Sequence, residues 1–286
     1  MTIYLMGVYN SHATEHTSTA FKLSKLTKFE MINSATQIRQ AIKPTDILIR
    51  YGFTNSRELD KQFKIVFNKA DNLDLSINKL ATLEILRNNN IPVPNFYVSP
   101  YAIPKNALPV LRRRNHHHRG NDIIMVKSLQ DIPKGKFYTQ FIDKKREYRV
   151  HMFRGECIRI QIKVKDTTRP YTMETYINNR ANGFLLNDFF KHNIKLEKHI
   201  IAICKRASKL LKLDFCAFDV IVDKNNKPYI LESNTGMELS KYGRQLYGYY
   251  FRKHLGLSTR MYSLMKPNTA DKLTEFSKID TEVDEE

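Results

Sequence analysis

The chain has 286 residues, of which 42% are hydrophobic, and a formal net charge of +18 at pH 7. Its 16 Phe and 15 Tyr provide enough apolar surface for a sizeable core, which excludes a largely disordered chain. No apolar run approaches the roughly 18–20 residues that a membrane-crossing helix needs, and residues 1–16 lack the pattern of a signal peptide. We therefore expect a globular protein with no membrane segment.

The positive charge is unevenly distributed. Residues 266–286 contain seven acidic residues and three lysines, so residues 1–265 carry an excess of +22. Such an excess attracts anions, but folding does not require it. Two interpretations stay open, a polyanionic partner and a set of solvated lysine faces that only confer solubility. We expect the acidic tail from about residue 266 to be disordered.

The cysteines indicate a reducing environment. Cys157, Cys204 and Cys216 lack the spacing of a metal site, and an odd number leaves one thiol unpaired in any disulfide scheme. We interpret them as reduced core thiols of a cytoplasmic protein.

The first third of the chain has a βα pattern. Residues 3–8 and 46–50 predict short buried strands, and residues 18–42 predict a helix between them, which together indicate a small parallel-sheet domain. Ser76 is the predicted N-cap of a helix that ends at residues 88–90. The proline-rich residues 91–109 predict an extended connection to the next domain.

Strands dominate the rest of the chain. They are predicted at residues 109–113, 122–128 and 137–142, at 148–153 and 157–165 around a turn at Arg154–Gly155, and at 217–222 and 228–233. Helices are predicted at about 196–212 and 240–254. The fold class is therefore predicted to be α+β.

The last two strands predict a hairpin that brings polar side chains together. A two-residue turn at Asn225–Asn226 places Asp219 directly opposite Glu232 and puts Asn234 on the same face. The opposite face then carries apolar side chains suited to a core, namely Val220, Val222, Tyr229 and Leu231.

Two carboxylates in opposed positions repel each other unless a cation lies between them. Oxygen ligands from Asp219, Glu232 and Asn234 suit a hard ion such as Mg²⁺, which completes its coordination shell with water and phosphate oxygens. The alternative is a solvent-exposed polar face whose carboxylates pair with lysines.

Residues 76–238 resemble the ATP-grasp superfamily, and within it the ligases that add glutamate to a ribosomal protein or build small peptides. Residues 213–239 (LDFCAFDVIVDKNNKPYILESNTGMEL) are similar to the family's final hairpin. The resemblance implies that Asp219, Glu232 and Asn234 bind two Mg²⁺ ions that bridge the phosphates of ATP, with Mn²⁺ as a substitute ion. Lys79 matches a recurrent lysine at the start of this region.

The resemblance also implies residues that contact ATP. Arg113 stands where the family has a phosphate-contacting lysine, and Arg119 and Gly120 lie in the segment that matches a glycine-rich loop over the phosphates. The loop's second glycine is replaced by Asp122. Lys127 is a further phosphate contact by the same resemblance. The backbone at Gln140, Phe141 and Ile142 matches the strand that pairs with adenine, with Gln140 in place of the usual glutamate.

Two further segments match regions that act on the transferred phosphoryl group. Residues 147–163 are similar to a family hairpin in which Arg149 matches an arginine and Lys163 occupies the position of a second arginine. Residues 178–184 (NNRANGF) resemble a loop near the acyl-phosphate. The resemblance assigns Asn179 and Arg180 to that intermediate.

The resemblance implies an ATP-grasp fold preceded by a small α/β domain. The expected boundaries are 1–75 for the small domain and 76–265 for the catalytic domain, with an ATP lobe at about 100–145, a metal-binding lobe at 146–265 and the tail at 266–286. The implied reaction joins a carboxylate to an amine of an amino acid, a peptide or a macromolecule. Two alternatives stay open, a small-molecule kinase and a non-catalytic protein that binds nucleic acid or another polyanion. A homo-oligomer is compatible with each of these three functions.

Overall fold

The computed structural model describes residues 1–7, 18–38, 40–114, 123–130, 132–133, 135–166, 177, 182–188 and 192–262. The N-terminal unit contains the predicted small parallel sheet, which has four strands in the order β2-β1-β3-β4. Its strands are β1 (Ile3–Gly7), β2 (Glu30–Ile32), β3 (Ile47–Tyr51) and β4 (Ile65–Phe67). Strands β1 and β3 are buried along their whole length because apolar side chains cover both faces of the sheet.

The first helix is shorter than the sequence predicted. Helix α1 (Thr19–Thr27) begins at Ser18, whose hydroxyl accepts a hydrogen bond from the Phe21 N–H at 3.1 Å, and ends where Lys28 adopts a left-handed conformation. The prediction of one helix over 18–42 was therefore wrong. Ile38 and Ile42 continued the helical spacing, but they pack on the other face of the sheet from α1.

The predicted N-cap at Ser76 was also wrong. Helix α2 (Ala70–Ile77) contains Ser76, whose buried hydroxyl lies 2.7 Å from the hydroxyl of Ser233. Helix α3 (Lys79–Asn88) begins at Asn78, whose side chain accepts a hydrogen bond from the Ala81 N–H.

A second, antiparallel sheet has the order β5-β8-β6-β7. Its strands are β5 (Phe96–Tyr97), β6 (Val110–Arg113), β7 (Ile124–Val126) and β8 (Phe137–Gln140). Its small core is built around Ile103, Val110, Val126 and Tyr138. The proline-rich segment that enters this sheet contains β5 and two short 3-10 turns rather than one extended connection.

The third sheet is antiparallel with the order β11-β10-β9-β12-β13. Its strands are β9 (Lys144–Phe153), β10 (Glu156–Lys165), β11 (Phe184–Asn187), β12 (Phe215–Asp223) and β13 (Pro228–Asn234). The predicted turn at Arg154–Gly155 joins β9 to β10, and both residues have positive φ.

The two faces of this third sheet have different neighbours. Helices α3 and α4 (Ile194–Leu210) pack on one face, in a core that includes Val150, Ile160 and Phe218. On the other face, Phe153 and Phe215 pack against α5 (Lys241–His254) and the N-terminal unit. Because side chains alternate along a strand, those of Glu147, Arg149 and Asp219 also lie on this second side. We call the partly solvent-accessible region around them the cleft.

None of the five described helices combines the length and apolar character that a membrane crossing needs. The thiols of Cys157, Cys204 and Cys216 are free, as predicted.

Candidate active site

The site is built on the hairpin of β12 and β13. Asp219 pairs directly with Glu232, as the sequence predicted, and Asn234 pairs with Ala217 two positions further along. Positions 232 and 234 of a strand face the same way, so both side chains lie on the cleft side of the sheet together with Asp219.

The turn that produces this register differs from the prediction. The loop contains three residues, because Asp223 and Lys227 close it through a backbone hydrogen bond, and only Asn226 has a positive φ, at 62°. A three-residue loop alone would shift the pairing by one residue. A β-bulge beside Val220 restores the predicted pairing. Val220 pairs with Ile230, whereas its neighbour Asp219 pairs with Glu232, so Leu231 is the extra residue in β13.

The same irregularity changes which residues form the core. Ile230 is fully buried with Val220 and Val222, whereas Tyr229 and Leu231 are only half-buried. The prediction that Tyr229 and Leu231 complete the apolar face was therefore wrong, because the register between the turn and Leu231 is offset by one residue.

Asp219 is held by two cations that the sequence had nominated. Arg149 donates two hydrogen bonds to its carboxylate, from Nε at 2.8 Å and from Nη2 at 3.0 Å. Lys163 Nζ donates a third at 3.0 Å. Burial would raise the pKa of Asp219, but Arg149 and Lys163 outweigh burial and hold that pKa well below its ordinary value.

Glu232 has its own cation. The ammonium group of Lys79 contacts its carboxylate and lowers the pKa of Glu232, although burial and the nearby charge of Asp219 act in the opposite direction. The resemblance had singled out Lys79 as a recurrent residue without giving it a partner. The structure thus joins α3 to β13 at the site.

Glu147 is a site residue that the sequence analysis missed. Its buried carboxylate accepts a hydrogen bond from Lys144 at 2.7 Å and also contacts the ammonium group of Lys163. The signal was present in the sequence, because Glu147 opens the hairpin segment 147–163 and lies two residues before Arg149, and alternate residues of a strand share a face.

Arg113 enters the site from the second sheet. Its guanidinium is buried, and burial lowers its pKa, while the charges of Glu232 and Glu147 partly offset that effect. Its Nε has no hydrogen-bond partner among the described residues. A buried donor of this kind is costly to leave unsatisfied, so Arg113 is suited to an anion bound in the cleft.

The site as a whole has more cations than carboxylates. Five cationic side chains lie around three carboxylates, the cations being Lys79, Arg113, Lys144, Arg149 and Lys163. Lys79, Arg149 and Lys163 remain 15%, 16% and 12% exposed, so a ligand in the cleft can reach them. The excess of positive over negative side chains suits a ligand with several negatively charged phosphate groups.

The residues also fit a magnesium ion. Mg²⁺ binds through one or two carboxylates and takes its remaining ligands from water and phosphate, which matches a pair of opposed carboxylates with an amide beside them. In the described part of the chain, no three His, Cys, Asp or Glu side chains are arranged so that they alone could hold a metal ion, so a closed, all-carboxylate cage is not present there. The amide oxygen of Asn234 currently accepts a hydrogen bond from the Gly236 N–H at 3.1 Å.

The predicted adenine-pairing backbone lies at the edge of the second sheet. The N–H of Gln140 donates to the Asn95 carbonyl at 2.7 Å, and the N–H of Phe141 donates to the Pro109 carbonyl at 3.1 Å. Two of the three backbone donors are therefore already used within the protein. Among the described residues, no partner is bonded to the Ile142 N–H, so this donor is left for a base in this segment.

Lys127 is not brought into this cluster. Lys127 is exposed and lines an open pocket of about 290 Å³ with Met125, Val126, Ser128 and Pro133. Arg119, Gly120, Asn179 and Arg180 lie outside the described residues.

The N-terminal unit contacts the end of this hairpin. The hydroxyl of Tyr51 donates to the carbonyl of Met237 at 2.5 Å. Gly52 and Gly236 approach so closely that a Cβ on Gly52 would lie 2.6 Å from the Gly236 Cα. The N-terminal unit is thus held against the strand that carries Glu232 and Asn234.

Three solved structures share this architecture. A D-alanine–D-alanine ligase from Bacillus anthracis matches with a TM-score of 0.65 at 14% identity, over 90% of this chain and 95% of that chain. The ATP-grasp ligase PsnB complexed with minimal precursor matches with a TM-score of 0.57 at 13% identity, over 83% and 91%. An N5-carboxyaminoimidazole ribonucleotide synthetase from Thermotoga maritima matches with a TM-score of 0.61 at 14% identity, over 90% and 76%.

These likenesses define the fold. The chain has the ATP-grasp fold, with a parallel sheet followed by two antiparallel sheets that flank the carboxylate and cation cluster, which confirms the predicted fold class. Comparison with protein-family models and with curated proteins gave no match.

Proposed function

We propose that the protein is an ATP-dependent ligase that joins a carboxylate to an amine through an acyl-phosphate. The observation that carries the proposal is the opposed pair of Asp219 and Glu232 inside a cleft with an excess of cations. The solved structures that share the fold include ligases, one of them described as an ATP-grasp ligase bound to a precursor. The division into domains at 1–75 and 76–265 is part of the proposal.

Each nominated site residue has a proposed role in this reaction. Asp219, Glu232 and Asn234 would hold Mg²⁺, which neutralises phosphate charge when bound. Arg113 would donate to a phosphate oxygen, and the Ile142 N–H would pair with adenine. Lys127 is assigned to the phosphates and Asn179 and Arg180 to the acyl-phosphate on the resemblance alone, as are Arg119 and Gly120 to the loop over ATP.

Arg149 and Lys163 would stabilise the transferred phosphoryl group. The substrate carboxylate attacks the γ-phosphorus, the bond to the bridging oxygen breaks, and ADP leaves with that electron pair. The amine then attacks the acyl carbon, phosphate departs, and the amine loses a proton. Fixed cations are the main catalytic parts of such a transfer because charge shifts between oxygens without a covalent enzyme intermediate.

The test is a search for products. The protein would be incubated with ATP, Mg²⁺ and amino acids, alone and in pairs, with ADP and free phosphate measured and mass spectrometry used to find a product lighter than its two substrates by one water. Equal ADP and free phosphate with such a product supports ligation. A stable phosphorylated substrate without free phosphate would instead establish the kinase alternative.

Glu232→Gln is the decisive variant. It removes a charge needed for the ion while keeping the side-chain shape, so we expect turnover to fall by about 100-fold or more. The matched control is Asp223→Asn on the same hairpin, because the partners of the Asp223 carboxylate among the described residues are turn N–H groups and the Tyr229 hydroxyl. Full activity of Glu232→Gln would refute the assigned site.

A further inference from the structure

Helix α4 presents a row of basic side chains to solvent. The exposed cations are Lys195, Lys198, Lys205, Arg206 and Lys209, followed by Lys212 just beyond the helix. We call these six residues the α4 basic face. The other exposed positions of the helix are His199 and Ala202, and no Phe, Tyr or Trp side chain is exposed along it.

Within the part of the chain that the structure describes, the α4 basic face has no acidic neighbour that neutralises it. None of its six residues forms an ion pair with the described residues, and Arg206 donates instead to the Asn89 carbonyl at 2.8 Å. The acidic residue of the helix, Glu197, is fully buried and bonded to the His192 ring and the Asn193 N–H. Like charges three or four residues apart on a helix repel each other, so the row costs stability unless an anion covers it.

This face is separate from the catalytic cleft. The buried side of α4, including Ile200, Ile203 and Ala207, packs on the sheet face that carries Phe218 and Val220. Asp219 lies between those two residues in β12, so its side chain is on the opposite face of the sheet. A ligand bound on the α4 basic face therefore leaves the cleft open.

We propose that the α4 basic face binds the phosphate backbone of a nucleic acid duplex without regard to sequence. A helix of 17 residues extends about 25 Å, which corresponds to roughly seven base pairs along a duplex axis. Lysines on flexible stems suit a regular series of phosphates, and the absence of exposed Phe, Tyr and Trp side chains on this helix argues against extensive base stacking. The α4 basic face thus accounts for part of the excess positive charge of residues 1–265.

The first measurement is the affinity of the full chain for a labelled duplex of about 20 base pairs and arbitrary sequence, by fluorescence anisotropy at several salt concentrations. If all six cations contact phosphate, the logarithm of the association constant should fall with the logarithm of salt concentration at a slope of roughly −5. Two unrelated duplexes should bind equally. Absence of binding at low salt would overturn the proposal.

The second measurement separates the α4 basic face from net charge. The triple variant Lys198→Glu, Lys205→Glu, Lys209→Glu should bind the duplex at least about 10-fold more weakly and show a shallower salt slope. The matched control is Lys22→Glu, Lys61→Glu, Lys64→Glu, which changes the net charge equally at exposed lysines of the N-terminal unit. Equal weakening by both variants, or by neither, would overturn the proposal.

Two checks complete the design. The triple variant with glutamine at the same three positions should show the same direction of effect, and circular dichroism should show that α4 still folds in both variants. A labelled polyglutamate peptide identifies the competing partner, since tighter α4-dependent binding of that peptide than of the duplex would assign the face to acidic protein and refute the nucleic acid proposal. ATP turnover in the triple variants should equal that of the unmodified chain.

Discussion

At the level of single residues, Lys163 connects two carboxylates of the site. It contacts Asp219 and Glu147, and although burial alone would lower its pKa, the two acids raise that pKa above its ordinary value. The ammonium group is therefore charged throughout the neutral range. This makes Lys163 a fixed positive charge and excludes it as a general base.

Replacing Lys163 by methionine should lower turnover by about 100-fold, because the charge that we propose to stabilise the transferred phosphoryl group is lost. The variant also leaves Glu147 with Lys144 as its remaining cation, so the free energy of unfolding should fall by roughly 1–3 kcal/mol. Steady-state kinetics and urea unfolding measure the two effects. The exposed Lys64→Met variant serves as control, and unchanged turnover of Lys163→Met would contradict its role.

His151 gives a prediction about acid stability. Its ring is buried between the Tyr247 hydroxyl and Gln161, and burial, with help from Arg159 and Arg149, lowers its pKa to about 3. The unfolded chain protonates this histidine near pH 6.5, whereas the folded chain does not. Between about pH 6.5 and 3 the unfolded state binds the extra proton, so this group's stabilisation is complete above pH 6.5 and is lost as the pH falls.

Urea unfolding at several pH values between 4.5 and 7 tests that prediction. His151 alone should contribute a slope of up to about 1.4 kcal/mol per pH unit, and His151→Gln should remove it. The matched control is the exposed His199→Gln, which should leave the pH dependence unchanged. Parallel pH profiles for the unmodified chain and His151→Gln would contradict the prediction.

At the level of elements, the β12–β13 hairpin shows what sequence could predict. The pairing of Asp219 with Glu232 was predicted from a two-residue turn that does not exist, and it holds because the longer loop and the irregularity beside Val220 compensate each other. Alternation of polar and apolar residues constrains the faces of a strand, but Asn225–Asn226 supports more than one loop length. The alternation of polar and apolar residues could not show that Ile230, rather than Leu231, lies in the core.

The loop itself can be tested at Asn226. Because this residue has a φ of 62°, Asn226→Ala should lower the free energy of unfolding by about 1 kcal/mol, while Asn226→Gly should keep or raise it. ATP turnover should be unchanged in both variants, since the irregularity lies between the loop and Glu232. Urea unfolding measures the stability difference, and a loss of turnover in Asn226→Gly would contradict this view of the hairpin.

Contacts between elements were less predictable than the elements themselves. Lys79, Glu147 and Arg113 come from a helix and two different sheets, and their meeting depends on how those sheets pack. The sequence placed each residue on a helix or strand, but a single chain has no pattern that reports distances between sheets. The family resemblance supplied Arg113 and Lys79, whereas Glu147 emerged only from the structure.

At the level of the whole molecule, the N-terminal unit is anchored to the site through two glycines. Gly52→Ala would combine strain at a φ of 64° with a Cβ 2.6 Å from the Gly236 Cα, so we expect a loss of several kcal/mol and a lower melting temperature. The control is Gly155→Ala. Gly155 has a φ of 81°, and a Cβ added there would have no neighbouring atom within 4 Å, so this variant reports conformational strain alone, about 1–2 kcal/mol. Equal effects of the two variants in thermal unfolding would show that the close approach is unimportant.

The ion pairs of the cleft have a consequence for how ligands arrive. At the proposed metal site, a divalent ion that binds alone competes with Lys79 for Glu232 and with Arg149 and Lys163 for Asp219, and weakening these ion pairs leaves the cations without their full counter-charge. A nucleotide that binds alone draws the same cations away and leaves the two acids facing each other. Each ligand therefore removes the penalty that the other meets. Their affinities should reinforce each other reciprocally, as thermodynamic linkage requires.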